Sequence, residues 1–134
     1  MHNKNSRGKE TNRKMEFKKE KEVGKKTVFL IQENPYINVL SAQEYGDIVL
    51  LFESGQQIMF SPQPAIKKLR RKLKDFDDND YLLMMGDPAA MGIACCIASD
   101  INRGRFKILK WDKIQKRYYS VSVNIYEKGE IDDS

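Results

Sequence analysis

The feature that most constrains the fold is a strand–helix–strand pattern over residues 81–111. The apolar run YLLMM, residues 81–85, has the length of a buried strand. A helix is predicted over residues 88–102, because Asp87 is a favourable N-cap and a proline follows it. Residues 105–111 (RFKILKW) then predict a second strand. Two strands joined in this way are expected to lie parallel, connected by a right-handed crossover.

The predicted helix of this unit is apolar on nearly all sides, so we expect it to be buried. At about 15 residues it is too short to cross a bilayer. It contains the only two cysteines, Cys95 and Cys96. Consecutive helical residues point about 100° apart, so this pair cannot chelate one metal ion tetrahedrally. Both are expected to be small core residues.

Other strands are predicted around this unit. They cover residues 27–32, 47–53, 56–60 and 117–126, with a short strand near 37–40 and a two-residue hairpin turn at 54–55. Residues 65–74 (AIKKLRRKLK) have the spacing of an amphipathic helix. The sequence therefore predicts a mixed α+β domain with a small mixed sheet of about five to six strands. One helix is buried in a β-α-β unit, and the other is basic and amphipathic.

The last predicted strand alternates cleanly between apolar and polar residues. Tyr119, Val121, Val123 and Ile125 fall on one face, which we expect to face the core. The other face, which includes Tyr118, is expected to contact water.

The positive charge of the chain is concentrated in its first 26 residues. Residues 1–26 hold ten Lys or Arg and four Glu, a net charge of +6. The remaining residues hold 14 basic and 15 acidic side chains, a net charge of −1. The first segment has too few apolar residues to repay the entropy of ordering it, so we expect residues 1–26 to be a disordered basic tail. A single domain is predicted over 27–126, and 127–134 is expected to be an acidic, frayed C-terminus.

Two basic segments are candidates for binding nucleic acid. Flexible cationic arms and cationic helix faces are both attracted to phosphate backbones. The candidate residues are Lys18, Lys19, Lys21, Lys25, Lys26, Lys67, Lys68, Arg70, Arg71, Lys72 and Lys74. The alternative for the basic arm, residues 1–26, is that it is a solubilising extension. The alternative for the basic helix, residues 65–74, is that its charges form a solvated outer face.

Two aromatic residues near a basic turn are candidates for base stacking. Trp111 and Tyr118 flank a turn that carries Lys113, Lys116 and Arg117. Aromatic rings with cations nearby can stack on nucleic-acid bases. The alternative is that Trp111 and Tyr119 pack in the core and the turn charges are ordinary surface charges.

Two loops resemble ligand-binding motifs but depart from them. The run Asp75–Asp80 matches the first positions of a calcium-binding loop, yet it lacks the turn glycine and the final glutamate. The segment 86–88 (GDP) begins a helix, where phosphates often bind, but the capping Asp87 would repel an anion. A solvated acidic loop and an ordinary helix cap are therefore the preferred interpretations.

The sequence offers no recognisable catalytic constellation. Its only histidine is His2, in the polar N-terminal segment. Because the single histidine lies in this polar tail, most histidine-dependent catalysis and most zinc sites are excluded. We expect no catalytic residue, no metal ion and no cofactor, and therefore not an enzyme. The N-terminus lacks the apolar segment of a secretory signal, and no apolar run is long enough for a membrane, so a cytoplasmic location is expected.

The stretch from Asp80 to Tyr119 carries a recognisable pair of motifs, YLL-x-x-GDP and RFK-x-LKWD. In these motifs the chain resembles a family of small uncharacterised proteins of marine tailed bacteriophages. The resemblance covers about a third of the chain and implies no assigned activity or catalytic residues. It does imply the cytoplasm of an infected bacterium as the setting.

Together these observations predict a non-enzymatic phage accessory protein. Its predicted partner is DNA or RNA, bound through the basic arm and the basic helix. The alternative is an interaction module that docks on a host or viral protein, through an exposed sheet edge or the same helix.

Overall fold

A computed structural model describes residues 17–58 and 61–127 of the chain. In chain order its elements are β1 (Thr27–Gln32), a 3-10 helix (Leu40–Tyr45), β2 (Asp47–Phe52), α1 (Gln63–Lys72), β3 (Tyr81–Leu83), α2 (Pro88–Ile101), β4 (Arg105–Asp112) and β5 (Arg117–Asn124). The strands form one five-stranded sheet in the order β2-β1-β3-β4-β5. The predicted mixed α+β class is confirmed.

Four of the five strands are parallel. β1 pairs in parallel with β2 on one side and β3 on the other, and β3 pairs in parallel with β4. The parallel arrangement predicted for the two strands that flank α2 is therefore confirmed. β5 returns antiparallel to β4. All six residues of β1 are buried, because layers cover both faces of this central strand.

Helices α1 and α2 pack on one face of the sheet. Their inner residues form a single apolar cluster with side chains of β1, β2 and β3. Leu69 of α1 and Leu73 just after it are fully buried, which confirms the predicted amphipathic stripe. In α2 the buried positions include Ala90, Ala94 and Ala98, whose small side chains let this helix approach the sheet closely.

The 3-10 helix covers the opposite face of the sheet. Ala42 within it and Val39 before it are buried in a second apolar cluster. Leu83 of β3 and Leu109 of β4 belong to the same cluster. The prediction of a short strand near residues 37–40 is wrong, because the chain turns into this helix instead.

Helix α2 is buried on one side only. Cys95 is half-buried and Cys96 is exposed, so the prediction that both are core residues is wrong for Cys96. The physical reason is that the sheet covers the inner side of α2 and α1 lies beside it, while none of the described residues forms a layer over its outer side. None of the described helices, α2 included, is long and apolar enough to span a membrane.

Among the described residues, no strand follows β2 to form the predicted hairpin. Residues 56–58 form no strand, and residues 59–60 lie outside the described part of the chain. Side chains bond the local backbone here: the amide of Gln32 donates to the carbonyls of Glu53 (3.1 Å) and Gln56 (2.6 Å). The side-chain oxygen of Gln56 accepts from the N–H of Glu53 at 3.0 Å. These bonds hold the segment as a loop.

Burial along β5 differs from the alternation that the sequence predicts. The strand ends at Asn124, and its one buried residue is Tyr118, which was expected to face water. Tyr118 is 4% exposed, because it packs into the cluster beneath the 3-10 helix. Tyr119 and Val121, expected in the core, are 38% and 39% exposed, since α2 does not extend over this strand.

Candidate nucleic-acid interface

One groove brings together the two basic segments that the sequence singles out. It has a volume of about 350 Å³ and lies between the chain before β1 and the C-terminal end of α1. Its lining residues are Lys19, Glu20, Lys21, Arg71, Lys72, Lys74 and Asp75. Five cations and two carboxylates give this basic groove a formal net charge of +3.

The arm reaches this groove because residues 17–26 lie against the domain. Phe17 packs on the apolar cluster beneath the 3-10 helix. The N–H of Lys18 donates to the carbonyl of Ile48 at 2.8 Å, and Lys18 forms a parallel bridge with Val49. The arm thus covers the free edge of β2. The predicted disordered tail does not extend to residue 26 in this structure, and its residues 1–16 lie outside the described part.

A buried ion pair anchors the arm. The ammonium of Lys21 lies 2.6 Å from the carboxylate of Asp80, and their side chains are 3% and 0% exposed. The same ammonium donates to the carbonyl of Asp75 at 2.7 Å and lies 3.2 Å from the carboxylate of Asp77. Asp80 also accepts from the backbone N–H of Thr27. Lys21, predicted to bind phosphate, instead fixes the arm to the start of β1.

Burial raises the pKa of Asp80, and the hydrogen bond from Lys21 opposes that rise. A carboxylate in such a site is costly unless a cation compensates it. Asp80 was expected to be one of several solvated aspartates. Its partner on the arm, 59 residues away, could not be inferred from local sequence.

The other predicted arm residues are divided between ion pairs and open surface. Lys18 pairs with Glu22 and Asp47, and Lys25 pairs with Glu22. Lys19 and Lys26 are exposed.

On α1 the predicted cations also serve different roles. Arg70 pairs with Asp100 of α2 at 2.7 Å, and the ammonium of Lys68 lies 4.9 Å from the ring centre of Phe52. Lys72 donates to the carbonyl of Leu50 at 2.9 Å. The remaining three cations, which are Lys67, Arg71 and Lys74, are exposed. Of these, Arg71 and Lys74 line the basic groove.

The positive charge crowded into the groove affects the pKa of Lys72. Burial lowers the pKa of this ammonium, and the neighbouring positive charges of Lys68 and Arg71 lower it further. Crowded cations with restricted access to water favour the arrival of an anion.

The two candidate base-stacking residues contact one another. The rings of Trp111 and Tyr118 meet edge to face, with centroids 4.9 Å apart. Tyr118 is buried, so its ring has no face free for a base. Trp111 is 45% exposed, but it lies at the end of β4, on a different element from the basic groove.

The acidic run after α1 connects elements of the domain. Asp78 accepts hydrogen bonds from Arg105 (3.1 Å) and Asn102 (2.8 Å), and these bonds lower the pKa of its carboxyl. Asp80 anchors Lys21 as described. Within residues 17–58 and 61–127, no group of acidic, cysteine or histidine side chains is arranged to hold a metal ion.

The N-terminus of α2 is closed by its own neighbours. The carboxylate of Asp87 accepts from the N–H groups of Ala89 (3.2 Å) and Ile58 (3.0 Å). The N–H of Asp87 donates to the side-chain oxygen of Gln32 at 2.6 Å. This role of Gln32, a polar residue at the end of an otherwise apolar buried strand, was not predicted from the sequence. The polar side chain at the end of this apolar strand is the only local sequence signal of the role.

The thiols beside β4 differ in their surroundings. Burial, together with the neighbouring Cys96, raises the pKa of Cys95 to about 11. Cys95 is therefore almost entirely protonated at neutral pH and is a poor nucleophile.

Comparison with known proteins identifies one family. No curated protein and no solved structure matches this chain. A family model described as phage Pam3 gp32-like protein matches residues 26–125, a segment that contains all five strands and both helices. The expectation of a phage protein family is thus confirmed. Because the match spans about three quarters of the 134 residues, the chain belongs to the phage Pam3 gp32-like protein family.

Proposed function

We propose that this phage protein is a non-enzymatic accessory protein that binds nucleic acid, with the basic groove as its contact surface. The observation that carries the proposal is the convergence of two basic segments about 50 residues apart in sequence on a single groove. Cations gathered from separate elements create a local positive potential, although the domain after residue 26 is close to neutral.

Three cations of the groove are free to contact a phosphate. Lys19, Arg71 and Lys74 are exposed and form no ion pair among the described residues, whereas Lys21 is held by Asp80. Arginine can bind a phosphate through two parallel hydrogen bonds, and lysine acts as a point charge. Such contacts position a backbone and read no base sequence.

Residues 1–16 add further positive charge to the chain. They hold five Lys or Arg and two Glu, and they join the described arm at Phe17. An arm of this composition extends the contact along a phosphate backbone. The proposed setting is the cytoplasm of an infected bacterium, and the proposed binding tolerates many sequences.

The test measures fluorescence anisotropy of labelled single- and double-stranded DNA and RNA between about 50 and 300 mM salt. Wild-type protein is compared with the double variant Arg71→Gln, Lys74→Gln. Removing two phosphate contacts is expected to weaken binding to all sequences alike. It is also expected to reduce the slope of log affinity against log salt by about 2.

The matched control is the double variant Lys67→Gln, Lys113→Gln. It removes the same charge from exposed positions that do not line the groove. Equal losses for both double variants would mean that only net charge matters and would overturn the groove as the site. Absence of binding by wild-type protein would overturn the nucleic-acid function. Salt-tolerant capture of one host or viral protein would then favour the docking alternative.

A further inference from the structure

Strand β5 presents an apolar face that no layer formed by residues 17–58 and 61–127 covers. Tyr119, Val121 and Ile125 lie on the same face as α2 and are 38%, 39% and 57% exposed. β5 is also the last strand of the described sheet, so within the described part of the chain one side of its backbone has no neighbouring strand. Uncovered edges of this kind promote pairing with another chain.

The backbone of β5 shows which groups point to that open side. The N–H of Ile125 donates to the carbonyl of Gly104 at 2.9 Å, and the β4–β5 register continues from this pair. In an antiparallel ladder, alternate residues bond to the neighbour and the residues between them point away. Val121 and Val123 therefore bond to β4, while Ser120 and Ser122 direct their N–H and C=O groups outward.

Both ends of this open edge are closed. The carbonyl of Tyr118 accepts from the hydroxyl of Tyr45 at 3.0 Å. At the other end, the carbonyl of Asn124 accepts from the N–H of Glu127 at 3.1 Å. What remains is a short window of two outward-facing residues, Ser120 and Ser122, on either side of Val121.

We propose that β5 pairs with β5 of a second copy of this chain, antiparallel and about a two-fold axis at Val121. In this register Ser120 of each copy exchanges hydrogen bonds with Ser122 of the other. All four outward serine residues of the pair are then satisfied. The result is one continuous ten-stranded sheet.

The seam is complementary to itself, which favours a second copy as the occupant. The register places Val121 opposite its own equivalent and Tyr119 opposite Val123, all on the uncovered face. Aromatic and β-branched pairs stabilise adjacent strands. Residues 118–126 carry no charge, although 32% of the chain is charged. Two copies therefore bring no like charges together within the seam, and nothing in the seam selects an oppositely charged partner.

The inference is independent of the proposed function. The basic groove lies beside β2, at the other edge of the sheet from β5. Pairing through β5 leaves both grooves open, one at each end of the dimer.

Disulfide trapping tests the register. In a Cys95→Ser, Cys96→Ser background, Val121→Cys puts two thiols in a non-hydrogen-bonded pair with Cα atoms about 4.5 Å apart, within disulfide reach. Val123→Cys is the matched control, because its equivalent in the second copy lies about 13 Å away along the strand. Mild oxidation is expected to cross-link the Val121→Cys variant and not the control. Equal cross-linking of both, or of neither, would overturn the proposed pairing.

Sedimentation of the wild-type chain over a wide concentration range gives the second test. The expected result is a reversible dimer. Ser122→Pro removes one outward N–H donor from each copy, and proline is tolerated on an edge strand where the N–H faces solvent. Losing two hydrogen bonds is expected to raise the dimer Kd about 30-fold, while the urea midpoint of the monomer stays close to the wild-type value. A wild-type chain that remains monomeric throughout would contradict the proposal.

Discussion

The two edges of the sheet are treated differently by the chain. At β2 the arm lies along the edge, with the N–H of Lys18 bonded to the carbonyl of Ile48. At β5 only the ends are closed, by Tyr45 and by the turn at Glu127, so Ser120 and Ser122 face outward. One edge is thus closed within the chain, and the other is open to a second chain.

The difference shows that a few residues are enough to cover the edge of a sheet. A single hydrogen-bonded bridge covers β2, and its position depends on an anchor elsewhere, the buried pair of Lys21 and Asp80. Within the described part of the chain β5 has no comparable anchor on its uncovered face, because α2 packs over β1 and β4 and does not reach it. Unpaired edges are usually protected by charge, proline or a covering segment, and residues 118–126 contain neither a charged residue nor a proline.

Breaking the anchor of the closed edge is expected to have the largest effect. Lys21→Met leaves the carboxylate of Asp80 buried without its cation, and such a loss costs about 3–5 kcal/mol of folding free energy. The measurement is urea unfolding followed by circular dichroism. Lys25→Met is the matched control on the same arm, because its pair with Glu22 is exposed and worth less than about 1 kcal/mol.

The pH dependence identifies the cause of that loss. Burial raises the pKa of Asp80 in the folded state above its pKa in the unfolded state. Ionisation of Asp80 therefore lowers the stability of the fold as the pH rises from the unfolded-state pKa to the folded-state pKa. Removing Lys21 raises the folded pKa further. The difference between Lys21→Met and wild type should therefore be largest at neutral pH and should shrink in acid, where the carboxyl is protonated in both states. A pH-independent difference would mean that lost packing, not the buried charge, destabilises the variant.

The same substitution in the two edge strands sharpens the comparison. Val49 of β2 is 1% exposed in the main core, whereas Val121 of β5 is 39% exposed. Val49→Ala is expected to cost about 2 kcal/mol through lost burial and the cavity left behind. Val121→Ala should change the stability of the monomer by less than about 0.5 kcal/mol. Thermal unfolding of dilute protein measures both, and equal losses would contradict an uncovered β5.

The smallest expected effect is one of reactivity rather than stability. Cys95 and Cys96 lie in the groove between α2 and the end of β5, and Cys96 is the exposed thiol. With a pKa of about 11, Cys95 carries a thiolate in about one molecule per thousand at pH 8. A thiol reagent is expected to label the Cys95→Ser variant quickly and the Cys96→Ser variant slowly. Fast labelling of both would show that this side of α2 opens readily.

Local patterns predicted most of the elements and few of the long-range contacts. The strand–helix–strand unit is confirmed because Asp87, the following proline and the apolar runs act over short distances. The hairpin after β2 was wrong, since Gln32, more than 20 residues earlier, bonds the carbonyls of that loop. The basic segments were identified as candidates, but their meeting in one groove depends on where the arm packs.

The sequence alone determined the alternation of apolar and polar residues, the helix caps and the separation of charge, because these depend on neighbours in the chain. It also determined that Tyr118 and Tyr119 point to opposite faces of β5. Only the tertiary structure decided which face is buried, since that depends on whether the 3-10 helix or α2 reaches the last strand. It likewise decided that Lys21 serves as an anchor and Arg71 remains free, because the partner Asp80 is brought close only by folding.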